Sequence, residues 1–318
     1  MSVLSQPQFH DEAKAFEFLE GVVWANGIVC PQCGAVDGRL YDLAGVRSKP
    51  SVKHPEGVVR HGLKKCGECR KQFTVKVGTV FEHARMPLHK MLQAVHLMVS
   101  SKKGISSHQL SRILEVQYKS AWFLAHRIRE AMKGGDLGPL GGLGAIVEAD
   151  ETFIGIEPGA KIKPSFYHKM KVFSLIDRSS GQARSFVVDG VHVPHLQPIM
   201  RQNVHPLSIL HTDEANAYKT IGRHFYRHES VNHGALQFGR GKVHTNTIEG
   251  FFSIFKRGMK GVYQHCSKKH LHRYLAEFDF RYSNRIALGV NDKARAVTAL
   301  RGITGKRLTY ETTGQRTA

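Results

Sequence analysis

Apolar residues recur at helical intervals in HTNTIEGFFSIFKRGMKG, residues 244–261, where Ile248, Phe251, Phe252, Phe255 and Met259 form one stripe. The opposite stripe carries Glu249, Ser253, Lys256, Arg257 and Lys260. Glu249 and Lys256 are seven residues apart and so point the same way. A lone acid among basic residues, on a helix anchored by aromatics, suits a metal ligand beside bound phosphate. The same pattern also suits an amphipathic surface helix whose Glu249 pairs with Ser253 or a nearby lysine.

Toward the N-terminus, Phe9, Ala13, Phe16 and Leu19 predict a helix over residues 9–26. Gln72–Phe81 alternates like a strand. Leu88, Met91, Leu92, Val95 and Val99 mark a further helix, ended by Lys102-Lys103-Gly104. Ser106 and Gln109 form a capping box for a short helix to Glu115. The next helix, Lys119–Met132, is expected to turn Trp122, Leu124, Ala125 and Ile128 inward, and Lys119, His126, Arg127 and Arg129 outward. Such a pair fits a helix-turn-helix with Lys119 and Arg127 as DNA contacts, and also an ordinary helical spacer. Gly134–Gly144 (GGDLGPLGGLG) reads as a linker.

After it, AIVEADETFI (145–154) predicts a strand with Glu148, Asp150 and Thr152 on one face and Glu151 on the other. Met170–Ile176 and Ala183–Val188 continue as antiparallel strands around a turn at Asp177, and Val193–Met200 suits a crossover helix. Ser208–Thr212 is a further strand with Asp213 at its end. That order is the order of a ribonuclease-H-like α/β fold, in which the first and fourth strands are neighbours. Asp150 and Asp213 are therefore expected to meet, with the Glu249 helix packed across them. Glu148 and Glu151 compete with Asp150 for any ligand role, while Asp177 and Asp189 read as turn acids.

Composition narrows the partners. The 318 residues hold 46 Lys and Arg against 26 Asp and Glu, a formal charge of +20, which favours a polyanionic partner such as nucleic acid. No apolar run is long enough for a membrane span and no secretory signal is visible, so a cytoplasmic protein is expected. Cys30-Pro-Gln-Cys33 and Cys66-Gly-Glu-Cys69 are two knuckles fit for a structural zinc ion. The basic stretch Arg47–Arg60 between them is expected to lengthen a hairpin. Cys266 belongs to neither knuckle and reads as a packed thiol. A basic helix follows Val262, with Leu271, Tyr274, Leu275, Phe278 and Tyr282 inward and Lys268, Lys269, His272, Arg273, Arg281 and Arg285 on its other faces. His211 and His244 border the proposed chemistry and are expected to hydrogen-bond there.

The motifs VEADET (147–152), HTDEANAY (211–218), HTNTIEGFFSIFKRGMKGVY (244–263) and HLHRYLAEFDFRYSNR (270–285) carry a resemblance. With the cysteine knuckles, they make the chain similar to bacterial insertion-sequence DDE transposases of the insertion-sequence 1595 family, related to Merlin elements. The resemblance implies Asp150, Asp213 and Glu249 as the metal-binding catalytic triad, with Asn246 at a position where some members use Asn for the third acid. It implies Lys256 as a contact to DNA ends, beside which Arg257 and Lys260 would grip phosphates. Two Mg²⁺ (or Mn²⁺) ions would serve strand cleavage and 3′-OH transfer, on terminal inverted repeats and target DNA. A homodimer or larger assembly is expected where two ends are joined. The expected domains are an N-terminal helix and zinc ribbon (1–85), a helical reader (86–133), a linker (134–144), a catalytic domain (145–306) and a flexible tail (307–318). Two rival readings are a zinc-ribbon regulator and a ribonuclease-H-like nuclease without strand transfer.

Overall fold

The computed structural model describes residues 2–309 apart from 37–38, 136–137, 163 and 233–238. Contacts divide the chain into two compact units: Met1–Ser100 with Ser107–Met132 and Asp292–Ala318, and Ser101–Ser106 with Lys133–Asn291.

In the first unit, α1 (Glu12–Val23) starts where the Asp11 carboxylate accepts from the Lys14 amide at 2.8 Å, and it buries Ala15, Phe16 and Leu19. Strands β1 (Leu40–Asp42), β2 (Lys64–Cys66) and β3 (Gln72–Phe73) form an antiparallel sheet with β2 in the middle. The strand expected over Gln72–Phe81 stops at Phe73. Beyond it the chain coils through turns, with the Val77 amide donating to Thr74 O and the Thr79 amide to Lys76 O. Val75, Val80 and Phe81 are buried all the same, because successive turns satisfy an alternating pattern as well as a pleat does. The basic insert does fold back on itself, through bridges Arg47↔Val59 and Ser51↔His54.

Helix α2 (Leu88–Ser100) takes its N-terminal cap from a distant acid: Glu12 accepts from the Leu88 amide at 2.8 Å and the His89 amide at 3.1 Å. Helices α3 (Ser107–Leu114) and α4 (Tyr118–Met132) pack together across a turn in which Glu115 has φ +53°. The outward face expected for α4 is corrected. His126, Arg127 and Arg129 are buried, because helices enclose α4 beyond its first turn. Arg127 donates to Glu82 O at 2.8 Å and lies over the Phe123 ring, which removes it from the DNA contacts. Lys119 stays exposed on the first turn.

The second unit is a mixed sheet with helices on both faces. Its strands are β4 (Ile146–Ile154), β5 (Met170–Asp177) and β6 (Ala183–Val188), then β7 (Ile209–Thr212) and β8 (Arg227–Ser230). They lie in the order β6-β5-β4-β7-β8, the first three antiparallel and the last two parallel to β4. That is the ribonuclease-H-like arrangement. α5 (Val193–Asn203) makes the crossover, and with α6 (Asn216–Ile221) it covers Val147, Ala149, Phe173 and Leu175. α7 (Asn246–Gly258) and α8 (Lys268–Ser283) cover Ile154, Met170, Val172 and Ile176 on the other face.

The stripe expected on α7 is the buried one, with Phe251 and Phe255 at 1% and 0% exposure. On α8, Arg281 is not an outward residue: it is buried and donates to Glu277 at 2.6 Å. The glycine-rich stretch is only partly a linker. Leu140 is buried and bridges Val204, and the Gly142 amide donates to Ser208 Oγ at 3.1 Å, so this part is built into the second unit. The last helix, α9 (Asp292–Arg301), packs on α1, α2 and α4 of the first unit, although its place in the chain had put it in the catalytic domain. No helix among the described residues is long and apolar enough to cross a membrane. Of the tail expected over 307–318, residues 310–318 lie outside the described residues.

Candidate active site and zinc centre

Parallel pairing of β4 with β7 aligns Ile146 with Ile209 and Glu148 with His211, so β4 runs on past the end of β7. Asp150 and Glu151 stand in that overhang, and Asp213 follows the last residue of β7. This crevice, outside the carboxyl end of a parallel strand, is where open α/β sheets place ligands. Ligand atoms of Asp150, Glu151 and Asp213 lie within 4.8 Å of one another.

Two hydrogen bonds shape the group. Tyr218 Oη on α6 donates to Glu151 at 2.7 Å, and the Glu151 amide donates to Asp150 Oδ1 at 2.7 Å. Burial, reinforced by the charges of Asp213 and Glu249, pushes the Asp150 carboxyl up to about 7. Burial pushes Glu151 up to about 8 in spite of the Tyr218 bond. Carboxylates crowded so closely lack positive charge, and their hard oxygen donors suit Mg²⁺ or Mn²⁺.

Glu249 stands apart from this cluster. It is exposed on the first turn of α7 and accepts from Thr245 Oγ1 at 2.9 Å. Its charge, like that of Lys256, is still felt at Asp150. Asn246, Lys256, Arg257 and Lys260 are all exposed, and Arg257 Nε donates to Ser253 O at 3.1 Å. Glu148, a rival ligand by sequence, is fully buried with both oxygens engaged, one by Arg178 Nε and the other by the Ile248 amide at 2.8 Å. Tyr218 and Arg178 were not singled out in the sequence, because each acts across elements and leaves no periodic trace.

In the first unit the four knuckle cysteines converge. Cys30 and Cys69 sulfurs lie 3.7 Å apart, as do those of Cys33 and Cys66. A zinc ion with four sulfurs at about 2.3 Å has tetrahedral edges of about 3.8 Å, so the donor set fits zinc. The Cys30 amide donates to Ala35 O and the Gly34 amide to Cys30 O, closing one knuckle with Gly34 at φ +76°.

These features define a class: a ribonuclease-H-like protein with a carboxylate site, joined to a zinc ribbon. Residues 139–283 match the ISXO2-like transposase domain, and residues 10–72 match the transposase zinc-ribbon domain. An uncharacterized protein in transposable element ISH50 of Halobacterium salinarum is 25% identical over 295 residues, 86% of this chain and 91% of that one. An uncharacterized transposase-like protein of Haemophilus influenzae is 31% identical over 98 residues, 31% of this chain and 78% of that one. The Mos1 strand transfer complex aligns at 14% identity and a TM-score of 0.25, over 69% of this chain and 77% of that one. The chain belongs to the insertion-sequence 1595 family of transposases.

Proposed function

We propose that the protein binds the terminal inverted repeats of its own insertion sequence, cleaves them and joins the freed 3′-OH to target DNA. The observation that carries this reading is the meeting of Asp150, Glu151 and Asp213 beyond the end of β7, on a fold shared with a transposase family. Two divalent ions bound there would activate the nucleophile and neutralise the leaving oxygen. Asp150 and Asp213 would hold them, and Glu249 would supply the third carboxylate from α7. Glu151 is the second candidate for that place, because it already lies within the cluster. Asn246, Lys256 and Arg257 line the exposed side of α7, Lys260 is exposed in the turn of helix that follows it, and the four would grip the phosphates next to the scissile bond. Lys119, exposed at the start of α4, would contact the element ends, with the zinc ribbon as a folded neighbour within its unit.

The test is Mg²⁺-dependent cleavage of a labelled duplex carrying the gene's own flanking ends. Alanine at Asp150 or Asp213 is expected to lower cleavage by at least about 1,000-fold while leaving end binding intact. Glu249→Ala and Glu151→Ala decide the third ligand: the one that reaches the same floor holds metal. If the wild type binds these ends and does not cut them, the zinc-ribbon regulator takes the place of this reading. Cleavage with no strand-transfer product would leave a nuclease.

A further inference from the structure

Glu148 has no solvent exposure, yet it stands outside the carboxylate cluster two residues away. Both of its oxygens are committed to the segment that starts α7. Oε2 accepts from the Ile248 amide at 2.8 Å, one of the first N–H groups of the helix, which has no partner within it. Oε1 accepts from Arg178 Nε, and the same guanidinium reaches the approach to the helix. Its two other nitrogens donate to Lys242 O at 2.9 Å and His244 O at 2.6 Å, and the second also meets His244 Nδ1 at 2.7 Å. Arg178 comes from the turn after β5, so three separate pieces of chain are tied at one buried point.

We infer that Glu148 and Arg178 form a clasp that fixes the register of α7 on the sheet, making Glu148 a positioning residue for the carboxylate site. The inference rests on reading Glu249 and the exposed side of α7 as working parts of that site. Desolvating such a pair offsets much of its attraction, so it contributes little as mere stability. Its bonds are directional, however, and they are made to the residue just before Glu249. A slip of one residue along α7 would turn Glu249 by about 100° and move it by about 1.5 Å. The aromatic stripe of α7 resists rotation, but smooth ring packing tolerates small slides that a carboxylate–amide bond does not.

The test uses the full chain as wild type, Glu148→Gln and Arg178→Lys. Amide exchange is read by mass spectrometry over residues 244–258 and, as a control, over α8. Glu148→Gln is expected to speed exchange at the start of α7 at least about tenfold with α8 unchanged. Cleavage should fall about 30-fold, with a higher Mg²⁺ concentration needed for half-maximal rate and end binding within about twofold. Arg178→Lys, which keeps the charge and loses the fork, should lie between the two, and it carries the test alone if Glu148→Gln does not fold. Unchanged exchange over 244–258, or equal acceleration in α8, would overturn the clasp. Exchange reads the clasp even if the wild type does not cut its ends, so failure of the transposase reading would show separately.

Discussion

Asp150 and Glu151 are consecutive strand residues, so period-two geometry sends their side chains to opposite faces of β4. They share one site because β7 ends beside them, and with no strand in the way both faces open to the same crevice. Their raised pKa values, about 7 and about 8, have a consequence with a definite sign. A carboxyl whose folded pKa is raised favours the folded state most below its unfolded pKa, near 4. That contribution is lost as pH rises through about 7 to about 8. Metal-free protein is therefore expected to melt several degrees lower at pH 8.5 than at pH 5.5, and saturating Mg²⁺ should remove most of the difference. A melting temperature that rises with pH without metal would contradict the arrangement. Asp279, held by Ser185 and pushed up to about 7 by burial, adds to the metal-independent part, which Asp279→Asn isolates.

Among the elements, α7 shows what a sequence declares and what it withholds. Its apolar stripe was legible, because helical period and burial on one face are the same fact. Glu148 was legible only as a rival ligand, since its partners are an amide and an arginine far away in the chain. The helices α3 and α4 were found, but α4 was misread as half exposed. Arg127 is long enough to bury its stem while bonding the Glu82 carbonyl, so charge was no guide to the outside. The edge strand β8 was missed: four residues, Arg227–Ser230, with no buried member and no alternation to read. Helix packing also explains a glycine. A Cβ on Gly258 would stand 2.5 Å from Phe278 Cζ and 2.6 Å from Lys103 O, and the backbone oxygen cannot retreat cheaply. Gly258→Ala is expected to destabilise the second unit by about 1–3 kcal/mol, read as a lower denaturant midpoint with unchanged slope.

For the whole molecule, a net charge of +20 makes any DNA complex steeply salt-dependent. End binding should weaken by about 1,000-fold or more between 50 and 200 mM salt if six or more phosphates are contacted. Zinc can be tested by itself. The purified chain should hold one zinc ion, and Cys66→Ser should lose it, unfold the ribbon and weaken end binding while amide protection in the ribonuclease-H-like sheet persists. The order of units along the chain was only partly legible, because α9 is a short helix whose composition does not say which core it joins.

That return of α9 to α1, α2 and α4 bears on how damaged copies of the gene would behave. A nonsense codon shortly after Asn291 would spare every carboxylate discussed above. What it would delete is a supporting helix of the zinc-ribbon unit, so late truncation should impair DNA capture before catalysis. A shortened product ending near Met132 would likewise lack that helix, and would make a poor competitor for the intact protein at its own ends.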